Sequence, residues 1–246
     1  MDFCENITPV ILAGCLGTRL RPLISDLPKV LAPVNGKPFL TYLLDQVNAT
    51  GFSQVVLCTG YKGEVVRQII GDIYTGLTVR YSYEKEPLGT GGALRLAHHL
   101  VSTDNVLVMN GDSYVETDLA AYLSWQTGNR FKASILLTRV ADAGRFGSVR
   151  VNQDNLITCF EEKKDDSSSG LINGGIYMIN KSLLEMIPSG KRYSLEQEFF
   201  PALAGKCLYG YPCEARFIDI GTPESYSRAE KFLKDIIRIR SNYSNE

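Results

Sequence analysis

The alternation of short apolar runs with amphipathic stretches in the first half of this chain confines it to a narrow set of folds. Thr8–Ala13 (TPVILA) is an apolar run stopped by Gly14. Pro38 can open a helix, and Phe39, Tyr42, Leu43 and Val47 then recur at helical spacing. Val55–Cys58, Leu77–Tyr83 and Val106–Met109 read as further strands. Between them, Val65, Val66, Ile69 and Ile70 mark one helix and Gly91–Leu100 another. Strand–helix–strand repetition predicts an α/β fold: a Rossmann-like, mainly parallel sheet with helices on both faces.

The rhythm then changes. Ala133–Thr138, Gly147–Val151, Ile157–Glu161 and Ile172–Ile179 read as strands with little helix between them, which predicts an antiparallel or mixed extension of the sheet. A short helix is expected near Leu195–Leu203 and a late strand at Phe217–Ile220. The last helix is the clearest, with Thr222 as N-cap, Pro223 at its first position and Glu224 in its first turn. Tyr226, Ala229, Phe232, Leu233, Ile236 and Ile237 share one face of it. The polar loop Lys163–Gly170 is too short for a domain linker. One domain spanning 1–246 is therefore expected, with a first half at about 7–130 and a second half at about 131–240. No hexapeptide array is present, so no appended β-helix is expected.

Composition excludes several classes. The 246 residues carry 26 Lys and Arg against 27 Asp and Glu, a net charge of −1, which gives no electrostatic case for nucleic acid or an anionic membrane surface. No apolar run reaches the ~18 residues of a membrane-spanning helix, and the first residues are acidic rather than basic, unlike a secretory signal. The six cysteines form no C-x-x-C pair, so neither structural zinc nor a disulfide framework is expected. A cytoplasmic location fits these features. His98 and His99 end a helical pattern and suggest no catalytic role.

The chemistry-bearing residues cluster at strand ends. After the first strand comes Gly14-Cys15-Leu16-Gly17-Thr18-Arg19-Leu20-Arg21-Pro22, with Pro28-Lys29 further on. A glycine-rich turn lets backbone N–H groups approach phosphate oxygens, and basic side chains neutralise them. Neither a Walker A pattern nor G-x-G-x-x-G is present. Glu86-Pro87-Leu88-Gly89-Thr90-Gly91-Gly92 lets a flat base approach closely, and the helix start that follows supplies free N–H donors. Asn110-Gly111-Asp112 puts a carboxylate at a strand's carboxyl end, suited to Mg²⁺ and a phosphate bridge. In an open α/β sheet the ligand crevice lies outside those strand ends, where the strand order reverses. If the first and fourth strands are neighbours there, Asp112 faces the glycine-rich loop. Phe160-Glu161-Glu162-Lys163 alone would be an exposed charge run, and Asn173-Gly174-Gly175 inside a strand suggests a bulge or close approach of a ligand.

LAGCLGTRLRP followed by LPKVLAPVNGKP resembles the signature of the sugar-1-phosphate nucleotidyltransferases, and the resemblance runs from about residue 7 to 235. It implies transfer of a nucleoside monophosphate from an NTP to a sugar 1-phosphate, with release of pyrophosphate. Ala13, Gly14, Gly17, Thr18, Arg19, Lys29, Glu86, Gly89, Gly91 and Gly92 would then hold the nucleotide. Gly147, Glu162, Lys163, Asn173, Gly175 and Glu196 would hold the sugar phosphate. Asp112 and Asp219, the latter in FIDIGT, which is similar to the family's W-x-D-x-G-T, would hold Mg²⁺. Arg19, Lys29, Asp112 and Lys163 would carry the catalysis.

Within the family, EKEPLGTGGA, LINGGIY and FIDIGTPE look most like the branch that guanylylates D-glycero-α-D-manno-heptose 1-phosphate. Mannose-1-phosphate guanylyltransferases and the glucose or N-acetylmuramate 1-phosphate uridylyl- and thymidylyltransferases are the alternatives. The expected partners are therefore small molecules, with homo-oligomerisation left open. Cys15 stands where the family usually has a second glycine. A positive φ there would cost ~1–2 kcal/mol, whereas a negative φ would accept the cysteine. A non-catalytic sugar-nucleotide sensor is the rival that this departure raises.

Overall fold

The computed structural model describes residues 3–15, 17–24, 27–143, 146–161 and 169–243. Strand β1 (Ile7–Leu12) is followed by the short helix α1 (Arg21–Ile24) and a ribbon of β2 (Pro33–Val34) and β3 (Lys37–Pro38). Then come α2 (Phe39–Ala49), β4 (Gln54–Thr59), α3 (Gly63–Ile70), β5 (Ile73–Tyr74), β6 (Leu77–Tyr83) and α4 (Gly89–Leu96). The chain continues through β7 (Asn105–Asn110), β8 (Ser113–Val115), α5 (Leu119–Asn129), β9 (Ala133–Val140), β10 (Ser148–Val151), β11 (Ile157–Glu161) and β12 (Gly170–Asn180). A single π turn, Leu195–Phe199, leads into α6 (Phe200–Leu203), and β13 (Leu208–Cys213), β14 (Phe217–Asp219) and α7 (Pro223–Tyr243) close the chain.

Eight strands form one sheet in the order β13-β9-β12-β7-β1-β4-β6-β5. β7, β1, β4 and β6 run parallel, while β12 runs antiparallel between β7 and β9. The mixed extension expected for the second half is therefore present. β1 sits at the reversal point, with β4 on one side and β7 on the other. The register Leu12↔Asn110 brings the ends of β1 and β7 level, so the glycine-rich loop and Asn110–Asp112 open into one crevice.

The sheet is buried on both faces, which is why β1 is buried throughout and apolar but for Thr8, whose hydroxyl pairs with Thr103 Oγ1 at 2.7 Å. Ile7 and Ile11 enter one core cluster with Phe39, Leu43, Tyr122 and Leu233. Val10 and Leu12 enter the other with Leu94, Val108, Tyr177 and Phe199. No helix among the described residues is long and apolar enough to cross a membrane. On α7, Thr222 Oγ1 accepts from the Ser225 N–H at 3.2 Å, the capping bond its position predicted.

Pro38 precedes α2 by one residue instead of opening it. The short elements α1, β2, β3, β5 and β8 have no counterpart in the sequence pattern, and neither do two longer ones, α5 and β13. Helix α5 buries only Leu119, Tyr122, Leu123 and Gln126 and carries Thr127 and Gly128, a narrow stripe. Its real signal is Asp118, whose side chain accepts from the Ala121 N–H at 3.1 Å. Strand β13 contains Gly210 and Pro212, both strand breakers, and is tolerated because it lies at the edge of the sheet.

Candidate active site

Two cavities meet at the end of β1 and β7. The first, of about 410 Å³, is lined by Leu12, Gly14, Cys15, Glu84, Thr90 and Arg192 among others. The second, of about 390 Å³, is lined by Arg19, Ser113, Asn173, Gly175, Tyr177, Phe217 and Asp219 among others. Asn110, Asp112 and Glu196 line both. The shared wall is thus an amide and two carboxylates.

The glycine-rich loop is shaped by what packs beneath it. Gly17 has φ +58°, and a Cβ there would stand 2.8 Å from Lys29 Cβ. Glycine is required on both counts. The Lys29 stem runs beneath the loop, 4% exposed, and its ammonium meets Asp112 Oδ2 at 2.5 Å. Asp112 is 33% exposed and keeps one side toward the cavities. Cys15 is exposed and is not among the residues with positive φ, so it sits in the loop without backbone strain.

Asp219 reaches the wall of the second cavity, beside Asp112, through β14, which pairs antiparallel with β8 in the register Asp219↔Ser113. The Ile220 N–H donates to the Asp112 carbonyl at 2.8 Å, locking the two segments together. Asp219 Oδ1 accepts from the Gly221 N–H at 2.7 Å and from Ser225 Oγ at 3.1 Å, which fixes the carboxylate. Among the described residues, no group of three or more His, Cys, Asp or Glu could hold a metal. Two carboxylates on one cavity wall, with the other positions left to phosphate and water, are nonetheless a donor set that suits Mg²⁺.

Glu196 sits on the π turn, a feature frequent at functional sites. Its Oε2 accepts from Thr90 Oγ1 at 2.6 Å and from Ser194 Oγ at 3.1 Å. Its Oε1 accepts from the Tyr177 hydroxyl at 3.3 Å. Burial, with the Glu196 carboxylate beside it, pushes the Tyr177 phenol well above its ordinary range and keeps it a neutral donor. Asn173 Nδ2 donates to the same hydroxyl at 3.1 Å. Gly174 and Gly175 fall where the pairing of β12 with β9 shifts register, the bulge that the glycine pair suggested. Gly175 has φ +76°, and a Cβ there would stand 2.7 Å from Ser113 Oγ.

The predicted residues are placed unevenly. Gly14, Gly89, Asp112 and Glu196 line the first cavity, and Arg19, Asp112, Asn173, Gly175, Glu196 and Asp219 the second. Lys29 reaches the wall only through Asp112. Ala13 is buried with its N–H on the Cys58 carbonyl, and Gly17, Thr18 and Gly147 line neither cavity. The N–H groups of Gly91 and Gly92 go to the Tyr193 carbonyl at 2.9 and 3.1 Å, so they are not available to a nucleotide. Glu162 and Lys163 lie outside the described residues.

Glu86 is exposed and lines neither cavity, whereas Glu84, two residues before it, lines the first. Glu84 continues the alternation of β6, its N–H donating to the Thr59 carbonyl at 2.9 Å as a further rung of the ladder. Extending that alternation by one residue is the signal that would have found it. The Leu88 N–H donates to Glu84 Oε2 at 3.1 Å, and burial raises the carboxyl above its ordinary value. Tyr177 and Thr90, whose places in the network depend on the fold, were also missed.

The Nucleotidyl transferase family matches residues 8–236. The chain is 38% identical to the D-glycero-α-D-manno-heptose 1-phosphate guanylyltransferase of Aneurinibacillus thermoaerophilus, over 93% of this chain and 99% of that protein. It is also 38% identical to the mannose-1-phosphate guanylyltransferase of Mycobacterium tuberculosis, over 93% of this chain and 65% of that protein. The crystal structure of HddC from Yersinia pseudotuberculosis complexed with GMP-PN superposes with a TM-score of 0.81 at 33% identity, covering 92% of this chain and 99% of that one. The sequence signature, the crevice between β1 and β7 and these likenesses agree: the chain belongs to the nucleotidyl transferase family.

Proposed function

We propose that this chain transfers GMP from GTP to D-glycero-α-D-manno-heptose 1-phosphate, forming GDP-heptose and pyrophosphate in the cytoplasm. The observation that carries the reading is the junction of two cavities on Asp112, where two phosphorylated substrates can be brought together. The heptose relative, matched over 99% of its length, supports the choice of sugar. The HddC structure complexed with GMP-PN supports the choice of nucleotide.

In this reading residues 7–130 hold the nucleotide and 131–240 the sugar, within one domain. An oxygen of the sugar phosphate attacks the α-phosphorus of GTP. The bond from that phosphorus to the bridging oxygen breaks, and pyrophosphate leaves. The nucleophile is already anionic, so no general base is needed, and the residues' task is alignment and charge neutralisation. Asp112 and Asp219 would hold Mg²⁺, which would supply charge neutralisation for the reacting phosphates. Lys29 holds Asp112 in place, Arg19 faces the phosphates, Lys163 engages the phosphate of the sugar 1-phosphate, and Glu162 engages the sugar hydroxyls. Glu84 accepts from guanine N1–H and N2–H₂, a pair of donors that uracil and thymine do not present. Asn173, Gly175 and Glu196 form the sugar side.

A steady-state assay of pyrophosphate release with Mg²⁺ tests the reading, scanning GTP, UTP, dTTP, CTP and ATP against heptose, mannose and glucose 1-phosphates. Release only with GTP and heptose 1-phosphate is the expected result. Release with GTP and mannose 1-phosphate instead would favour the second reading, which the equal identity of the mannose relative supports. Nucleotide binding without release under any pair would favour the sensor.

A further inference from the structure

Asn110 stands at the junction of the two cavities, and the hydrogen bonds around it fix which way its amide points. Asn173 Oδ1 accepts from the Gly175 N–H at 2.8 Å, so the Asn173 amide turns its Nδ2 to the Tyr177 hydroxyl. Tyr177 has one hydroxyl hydrogen, and Glu196 Oε1 can only accept, so that hydrogen is committed to Glu196. The tyrosine oxygen is therefore left as an acceptor. Asn110 meets it with Nδ2 as donor at 3.2 Å. Asn110 Oδ1 must then face away from the network. It is a buried acceptor without a hydrogen-bond partner, on a residue that lines both cavities. Gly175 allows this packing, because a Cβ at that position would stand 3.1 Å from Asn110 Nδ2.

A buried acceptor left unpaired is costly, so a group with this geometry calls for a donor. We infer that Asn110 is a substrate-positioning residue whose Oδ1 accepts a hydrogen bond from a ring hydroxyl of a bound substrate, at the point where nucleotide and sugar phosphate meet. The ligand chemistry is a sugar hydroxyl. It comes from the ribose of the nucleotide or from the ring of the sugar 1-phosphate. The inference rests on the proposed function for the identity of these two ligands, but not on transfer taking place. The network ties Asn110 through Tyr177 and Glu196 to Thr90 on one side and to Asn173 on the other, so its position registers both halves of the site.

Calorimetric titration without turnover tests it. GTP, 2′-deoxy-GTP and 3′-deoxy-GTP are titrated separately into wild type and Asn110→Ala, as are heptose 1-phosphate and its monodeoxy analogues. The expected result is that Asn110→Ala weakens one natural ligand about five- to tenfold, the size of one hydrogen bond. That loss disappears for the single analogue lacking the contacted hydroxyl. A deoxynucleotide giving this result places the contact on ribose, and a deoxy sugar phosphate places it on the sugar. Equal weakening of every analogue, as a structural role alone would give, overturns the inference, and so does no weakening. Should Asn110→Ala not fold, Asn110→Asp retains an acceptor and is expected to retain the preference for the hydroxyl-bearing ligand. Loss of that preference in a folded Asn110→Asp overturns it equally. Because binding is read without turnover, absence of guanylyl transfer would discard the proposed reaction and leave this result standing.

Discussion

Lys29 Nζ and Asp112 Oδ2 are 2.5 Å apart, although one side chain comes from the segment after the glycine-rich loop and the other from the end of β7. The lysine is buried and the aspartate keeps a third of its surface open, so the pair holds a carboxylate at the cavity wall by an ammonium behind it. Lys29→Ala and Asp112→Asn are each expected to lower kcat by about 10²-fold or more, as for loss of charge stabilisation at a reacting centre. Asp112→Ala also leaves a buried ammonium without its partner and should cost about 1–3 kcal/mol, the partial exposure of Asp112 having reduced the usual penalty. The double variant should lose much less than the sum, because the two residues act as a unit. Steady-state kinetics and denaturant titration check both statements. Additive losses would show that the pair does not work as one device.

Gly17→Ala should destabilise the fold by about 1–3 kcal/mol and weaken nucleotide binding. The cause is local: φ is +58° and the new methyl group would stand 2.8 Å from Lys29 Cβ. Thermal unfolding reports the first effect and calorimetric titration with GTP the second. An unchanged Tm would show that the loop relaxes at no cost.

Glu84 gives opposite predictions for stability and specificity. Burial raises its folded pKa above the unfolded value. Its stabilising contribution is therefore fully present below the unfolded pKa of about 4.3, and is lost as pH rises through the folded pKa. Glu84→Gln removes that loss while keeping an acceptor for the Leu88 N–H. The variant should unfold at the same or a higher temperature than wild type at neutral pH, with its advantage shrinking toward pH 4. Discrimination of GTP against the other NTPs should fall by tenfold or more. A variant less stable at pH 7 and equally selective would contradict both parts.

Cys15 faces the first cavity and is exposed. Alkylation with N-ethylmaleimide should therefore weaken GTP binding, and GTP should slow the modification. Cys15→Ser should bind GTP normally and resist the inhibition. Cys159, also exposed, remains to report that the reagent is active. Unimpaired binding after quantitative alkylation of Cys15 would remove it from the nucleotide path.

The parallel half of the fold was legible because strands buried on both faces must be mainly apolar, as β1 is at every position but Thr8. Asp112 and Asp219 could be paired before the fold was known only through the family resemblance; their meeting depends on β8 pairing with β14, two three-residue strands that carry no periodic signal. Helix α5 was hidden by a narrow buried stripe, and β13 by breakers that an edge strand tolerates. The motif located the loop at Glu86 but not Glu84, because the direction of a side chain depends on strand alternation, and Glu84 lies one residue beyond β6. Gly91 and Gly92 were expected to face the nucleotide, but their N–H groups are engaged by Tyr193, a residue about a hundred positions away. The Asn110–Tyr177–Glu196 network could not be anticipated, because its members approach only when β12 runs antiparallel beside β7.

The central claim is guanylyl transfer at the crevice between β1 and β7. Its most direct test is a single ³¹P NMR time course with GTP, D-glycero-α-D-manno-heptose 1-phosphate and Mg²⁺. The account predicts that pyrophosphate and the diphosphate ester of GDP-heptose appear in equal amounts, and that both appear more slowly by about 10²-fold or more with Asp112→Asn. Intact GTP and heptose 1-phosphate after prolonged incubation, with nucleotide bound, would contradict it.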